Sequence, residues 1–268
     1  MALELELAGR HVFVFGGTSG INLGIAGAFV REGAKVTVAS RKRENVDAAL
    51  EHLRKIAPHV HGCCADVRDP EAIRAALDDA VARFGPLHTI ISGAAGNFLC
   101  EAEKISPNGF KTVVDIDLLG TFNAVRLGFD YLAKPGANII SITAPQSTVP
   151  MRFQAHAAAA KAGVDQLTRV LALEWGRHGV RVNAISPGPI DGTEGFTRLI
   201  GPDPAARQKA IDWVPLRRLG SLQDIADLAL FLASPRASYI SGAIIPCDGG
   251  GAIESCKPAL EAAAQAQR

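Results

Sequence analysis

His11-Val12-Phe13-Val14-Phe15 runs directly into Gly16-Gly17-Thr18-Ser19-Gly20-Ile21-Asn22-Leu23-Gly24, and a segment with helical spacing follows. A short run of β-branched and aromatic residues closed by glycines reads as a buried strand. Glycines at its end permit a tight turn and let backbone approach a bound group closely. The N-terminus of the helix that follows presents unpaired N–H groups and the positive end of its dipole. Together these make a phosphate cradle. A glycine-rich turn alone is equally an ordinary structural turn; the strand before it and the helix after it favour the cradle.

The same alternation extends along the chain. Apolar runs at 11–15, 35–39, 59–64, 87–92, 137–143, 180–186 and 242–246 read as strands, and 20–32, 43–57, 70–84, 106–131, 152–178 and 221–233 as helices. Strand and helix in turn imply a parallel sheet with crossover helices. The expected fold is therefore α/β: a doubly wound, Rossmann-type parallel sheet of seven strands with helices on both faces. No linker or fixed-period repeat divides residues 1–268, which are expected to form one domain. The stretch 191–214 breaks the rhythm with no strand of its own. Lying beyond the carboxyl end of a strand, it is expected to form a substrate-covering flap. The Ala-rich tail after Cys256 reads as frayed or packed on a neighbouring subunit.

Composition excludes several classes. Hydrophobic residues at 48% and charged residues at 21% fit a globular chain. A formal net charge of +1 gives no whole-molecule field toward nucleic acid or an anionic membrane. The five cysteines, Cys63, Cys64, Cys100, Cys247 and Cys256, lack zinc-site or disulfide-framework spacing and read as plain thiols, with no metal implied. Residues 1–10 have no secretory pattern, apolar runs are too short to cross a bilayer, and the last residues, Ala-Gln-Ala-Gln-Arg, are not a Ser-Lys-Leu address. A cytoplasmic location is the default expectation.

The end of the second strand refines the cradle. NAD sites commonly place an Asp or Glu there to hold the ribose hydroxyls, but this chain reads Val38-Ala39-Ser40-Arg41-Lys42-Arg43. Arg41 could grip a 2′-phosphate bidentately, which favours NADP(H). The alternative, a merely solvated basic helix start, is disfavoured because cations sit poorly at that end of a helix.

With these elements in order, the chain resembles the short-chain dehydrogenase/reductase family over nearly its whole length. The family's T-G-x-x-x-G-x-G turn is similar to Phe15–Asn22, with Asn22 in place of the last glycine. Its Asp-Val pair is matched by Asp66-Val67, its Asn-Asn-Ala-Gly element by Ser92-Gly93-Ala94-Ala95, and its nicotinamide-side loop by Pro187-Gly188-Pro189-Ile190 with Thr193. The resemblance implies that Gly16, Thr18, Ser19, Gly20, Ile21, Arg41, Asp66, Val67, Ala94, Ala95, Gly96, Lys161, Pro187, Gly188, Ile190 and Thr193 bind NADP(H). Asp66 would contact the adenine, with Val67 packing nearby.

One family feature is missing. Most members pair a Tyr with a Lys four residues later; four residues advance about 400°, which aligns the two side chains to within about 40°. The matching segment is His156-Ala157-Ala158-Ala159-Ala160-Lys161, with Ala157 in the tyrosine's place and Ala144 in that of the family serine. The tetrad's Asn is replaced by Asp117, and neighbouring Asp115 should face the opposite way. An Asp117–Lys161 pair is either a structural ion pair or a device that positions a water for proton delivery. His156 has a suitable pKa, but its five-residue offset turns it about 140° from Lys161.

The losses resemble those of one subgroup, the peroxisomal type of 2,4-dienoyl-CoA reductases, in 95–100, 110–117, His156-Ala157 and 188–195. That resemblance implies catalysis by Asp117 and Lys161 with water, an acyl-CoA substrate lined by Arg68, Phe98, Ser106, Asn108 and Arg198, and a trans-3-enoyl-CoA product. Relatives also suggest a homotetramer. The alternatives are a reductase or dehydrogenase for another carbonyl or enoyl substrate, and a non-catalytic NADP(H)-binding regulator. Retention of Lys161 beside an acid at 117 speaks against the regulator.

Overall fold

The computed structural model describes residues 4–253; the tail after Cys256 lies outside them. Seven parallel strands form one sheet in the order β3-β2-β1-β4-β5-β6-β7: β1 (His11–Phe15), β2 (Lys35–Ser40), β3 (Val60–Cys64), β4 (Thr89–Ser92), β5 (Asn138–Ile142), β6 (Arg181–Pro187) and β7 (Ile244–Cys247). The order reverses between β1 and β4, and their carboxyl ends open the crevice where such sheets bind ligands.

Strand alternation builds two cores. Val12 and Val14 of β1 face one side, with Val36, Val38, Ile91 and Ile140. There they meet α1 (Gly20–Arg31), α2 (Arg43–Arg54) and α9 (Leu222–Ala233). Phe13 and Phe15 face the other side and meet α3 (Pro70–Phe84), α5 (Gly120–Gly128) and α6 (Ala155–Trp175). Period-two burial on both faces explains why the strands read as nearly continuous apolar runs. The sheet is thus held rigidly under the crevice.

The structure adds detail to three segments. The region 106–131 is not one regular helix: α4 (Pro107–Val114) passes through a π-helical turn, Asp115–Leu119, into α5, followed by a 3₁₀ turn, Phe129–Tyr131. The π turn rotates the chain between two faces. The Asp117 carbonyl within it accepts a hydrogen bond from the Thr121 hydroxyl at 2.7 Å. Likewise 191–214 lacks a strand but carries two short helices, α7 (Glu194–Ile200) and α8 (Pro204–Trp213). Their starts are capped by Thr193 on the Phe196 N–H and by Asp203 on the Ala205 N–H. Also, α6 begins at Ala155, three residues after its expected start. Among the described residues, no helix is long and apolar enough to cross a membrane.

Candidate active site

The glycine-rich turn is shaped by its approach to the β4 loop. Gly16 has φ +74°, and a Cβ there would lie 2.9 Å from Ala94 backbone atoms, so position 16 has no room for a side chain. Asn22, where the family motif has glycine, uses its amide to bind the Gly93 carbonyl at 2.8 Å. The substitution clamps the two loops together. Ser19 starts α1 without using its side chain as a cap, and no acidic residue occupies the first turn, so the helix N-terminus keeps its donors for an incoming anion. These features fit a dinucleotide phosphate.

Past β2, Arg41 is exposed and makes no ion pair among the described residues, whereas Arg43 turns to Asp47 at 2.8 Å. Only part of the basic cluster is therefore free to meet a phosphate. Asp66 accepts from the Arg68 guanidinium at 3.0 and 2.6 Å. This contact, aided by the charge of nearby Arg41, holds the Asp66 carboxyl below the usual range. Val67 packs beneath Gly120, where a Cβ would come within 2.5 Å of it.

Below these loops lies a cavity of about 550 Å³. Of the expected cofactor residues, Ser19, Gly20, Ile21, Ala95, Lys161, Pro187, Gly188, Ile190 and Thr193 line it. Gly16, Thr18, Arg41, Asp66, Val67, Ala94 and Gly96 lie outside its lining. The segment 191–214 contributes Thr193, Glu194, Phe196, Arg198, Leu199 and Trp213, and Arg198 donates to the Asn97 carbonyl at 3.3 Å.

The expected substrate residues divide. Arg198 lines the cavity, whereas Arg68, Phe98, Ser106 and Asn108 do not. Arg68 is held by Asp66, and the Ser106 hydroxyl caps α4 by accepting from the Gly109 N–H at 3.0 Å. Asn108 accepts the Thr112 hydroxyl on its carbonyl at 2.8 Å. Loop alternation explains Phe98: Asn97 and Leu99 face the cavity, and the ring between them stacks on His156 with centroids 4.2 Å apart.

At the cavity floor, Asp117 and Lys161 meet. The Lys161 Nζ lies 3.3 Å from an Asp117 oxygen, with side chains 8% and 2% exposed. Asp117 also accepts the Gly96 N–H at 2.7 Å, and Lys161 donates to the Ile142 carbonyl at 3.0 Å. The π turn delivers Asp117 inward, while Asp115 pairs with Lys111 at the surface. Ala157 and Ala144 border the same cavity and leave it open above the pair. His156 is fully buried outside the lining with neither ring nitrogen bonded, and burial holds its pKa below the usual value. It is neutral near pH 7.

Three cavity amides were given no role by the sequence reading: Asn97 stands in the 95–100 block without a role of its own, and Gln146 and Gln154 belong to no motif. The loss of both family hydroxyls was the available signal, since it leaves the cavity short of donors. Elsewhere, His61, Cys63 and Asp79 cluster at the far edge of the sheet, where burial pushes the Cys63 thiol up to about 12.

A family profile described as Enoyl-(Acyl carrier protein) reductase matches residues 16–251. The chain belongs to the short-chain dehydrogenase/reductase family. This dehydrogenase/reductase is 45% identical over 249 residues to a protein of Pongo abelii named peroxisomal 2,4-dienoyl-CoA reductase, (3E)-enoyl-CoA-producing, covering 91% of this chain and 84% of that one. A Bacillus subtilis relative named probable 2,4-dienoyl-CoA reductase, (2E)-enoyl-CoA-producing, is 40% identical, with 90% and 96% covered. The solved structure of a Bacillus anthracis short-chain dehydrogenase superposes with a TM-score of 0.84 at 35% identity, over 94% of this chain and 100% of that one.

Proposed function

We propose that this dehydrogenase/reductase reduces 2,4-dienoyl-CoA thioesters to 3-enoyl-CoA with NADPH. The observation that carries the proposal is the buried Asp117–Lys161 pair beneath Ala157. Carbonyl reduction needs a proton delivered to oxygen, whereas reduction of a conjugated dienoyl thioester ends with a proton delivered to carbon. An acid rigidly fixed at the carbonyl is dispensable in the second case. The names of the relatives support the substrate.

Bound in the crevice, the reduced nicotinamide supplies a hydride. On the substrate, the new C–H bond forms at C5, the π electrons shift toward the thioester, and the resulting dienolate takes a proton at C2. A double bond remains between C3 and C4. Asp117 is fixed by the Gly96 N–H and Lys161, so its carboxylate is oriented to hold a water above the pair. Lys161, tied to Ile142, offers its remaining protons to that water or to the cofactor ribose. Residues of the 191–214 segment, Phe196, Leu199 and Trp213 among them, line the cavity beside this pair. Protonation at C4 instead would leave a 2-enoyl product, as the name of the Bacillus subtilis relative describes. Identification of the product of NADPH oxidation with a 2,4-dienoyl-CoA distinguishes the two and tests the proposal.

NADP(H) preference rests on Arg41 and the absence of an acid at the end of β2. A homotetramer is supported by apolar side chains left exposed on the helices of one face, including Leu119, Phe122, Val170 and Leu173.

A further inference from the structure

A dienolate places negative charge on the thioester oxygen, and preorganised donors aimed at such an oxygen supply a large share of catalysis. Ala157 and Ala144 offer it none. The other side-chain amides of the cavity each already donate to a strong oxygen acceptor: Asn22 to Gly93, and the Asn97 and Gln146 amides to the Gln154 Oε1 at 2.8 and 3.2 Å. The Thr193 hydroxyl binds the Ile190 carbonyl.

Gln154 is different. Its side chain lines the cavity, the residue is only 7% exposed, and its Oε1 is occupied by two donors that fix the orientation of the amide. Its Nε2 has only the Met151 sulfur at 3.9 Å, a weak acceptor. Gln154 is the N-cap of α6, one turn before Ala157. Helical side chains lean toward the N-terminus, so the space a tyrosine at 157 would fill lies over the turn that Gln154 begins.

We propose that the Gln154 Nε2 donates a hydrogen bond to the thioester oxygen of the substrate, replacing the donors lost at 144 and 157, with Asn97 and Gln146 as positioning residues. The assignment rests on the dienoyl-CoA reading of the site. It makes a division of labour: Gln154 stabilises charge on oxygen, and the Asp117–Lys161 pair governs the proton that goes to carbon.

The test compares wild type with Gln154→Leu and Gln154→Asn, using NADPH oxidation with a 2,4-dienoyl-CoA, NADPH binding, and the ultraviolet absorption of dienoyl-CoA bound together with NADP⁺. A donor at the thioester oxygen polarises the conjugated system and shifts its absorption to the red. Gln154→Leu should lower kcat about 10²–10³-fold, abolish the red shift and leave NADPH binding unchanged. Gln154→Asn retains the amide but retracts it, and should lose rate by a smaller factor. It also decides the matter if the leucine variant does not fold. Wild-type turnover with variants that keep kcat within about threefold and retain the red shift would overturn the Gln154 assignment alone. A wild type that does not oxidise NADPH with the dienoyl-CoA would bring down the reading of the site and the assignment with it.

Discussion

The Asp117 carboxylate and the Lys161 ammonium lie 3.3 Å apart in a cavity wall where both are almost closed to solvent. Burying two charges costs free energy that an isolated pair rarely recovers, and removing one partner leaves the other stranded, at about 3–5 kcal/mol. Such a pair is a poor stabilising device, which agrees with the proposed proton-handling role. Asp117→Asn keeps the size and can still accept the Gly96 N–H, so it should leave NADPH affinity nearly unchanged and lower kcat ~10²–10⁴-fold. Steady-state rates and a binding titration on the same preparation check this.

Lys161→Ala should behave differently. In the proposed arrangement the ammonium would serve the cofactor ribose as well as a water, so NADPH binding and rate should fall together. It also strands the Asp117 charge, and the melting temperature should drop. A variant that loses rate with cofactor affinity intact would assign Lys161 to proton handling alone.

His156→Ala tests the competing donor. The buried ring is neutral, lies outside the cavity lining and supports Phe98. Its removal should loosen the 94–100 loop and lower stability while leaving the pH dependence of kcat in place. Loss of a titrating limb from the pH–rate profile would instead mark the imidazole as the acid.

Cofactor choice is predicted to rest on Arg41. Arg41→Ala should weaken NADP(H) binding by roughly 1.5–3 kcal/mol, or about 10- to 150-fold, with little change for NAD(H). Parallel titrations with the two cofactors measure the ratio. An unchanged ratio would refute the assignment.

A pH effect on stability should arise far from the site. Burial holds His11 down to about 4 from an ordinary 6.5, against the raising effect of its bond to the Gly85 carbonyl at 2.7 Å. The unfolded chain thus binds a proton that the folded chain refuses. The resulting stability is fully present above the unfolded value and is lost as pH falls from about 6.5 toward 4. The loss amounts to about 3 kcal/mol. Denaturant titrations across that range should show the slope, and His11→Asn should flatten it whatever its effect at neutral pH.

The strands and main helices were legible because apolar runs such as Val12–Phe15 are buried on both faces and are closed by Gly or Pro. The π turn at Asp115–Leu119 was not, since an extra residue in a helical ladder leaves no break in a local apolar pattern. Helices α7 and α8 bury little and so carry almost no period, although Thr193 and Asp203-Pro204 are ordinary cap signals. The meeting of Asp117 and Lys161 was legible through spacing and family position. The fixed amide of Gln154 was not, because Asn97 reaches it from a loop 57 positions away in sequence. Phe98 lies outside the cavity lining: a one-residue alternation turns it onto His156, and Asn97 and Leu99 face the cavity.

The most direct measurement follows NADPH absorbance with a trans-2,trans-4-dienoyl-CoA for wild type and Asp117→Asn side by side, with the product identified. The account predicts rapid oxidation by wild type to a 3-enoyl-CoA, and normal NADPH binding with a rate ~10²–10⁴-fold lower in the variant. Equal rates for the two proteins, or wild-type turnover of simple carbonyls but not of the dienoyl thioester, would contradict it.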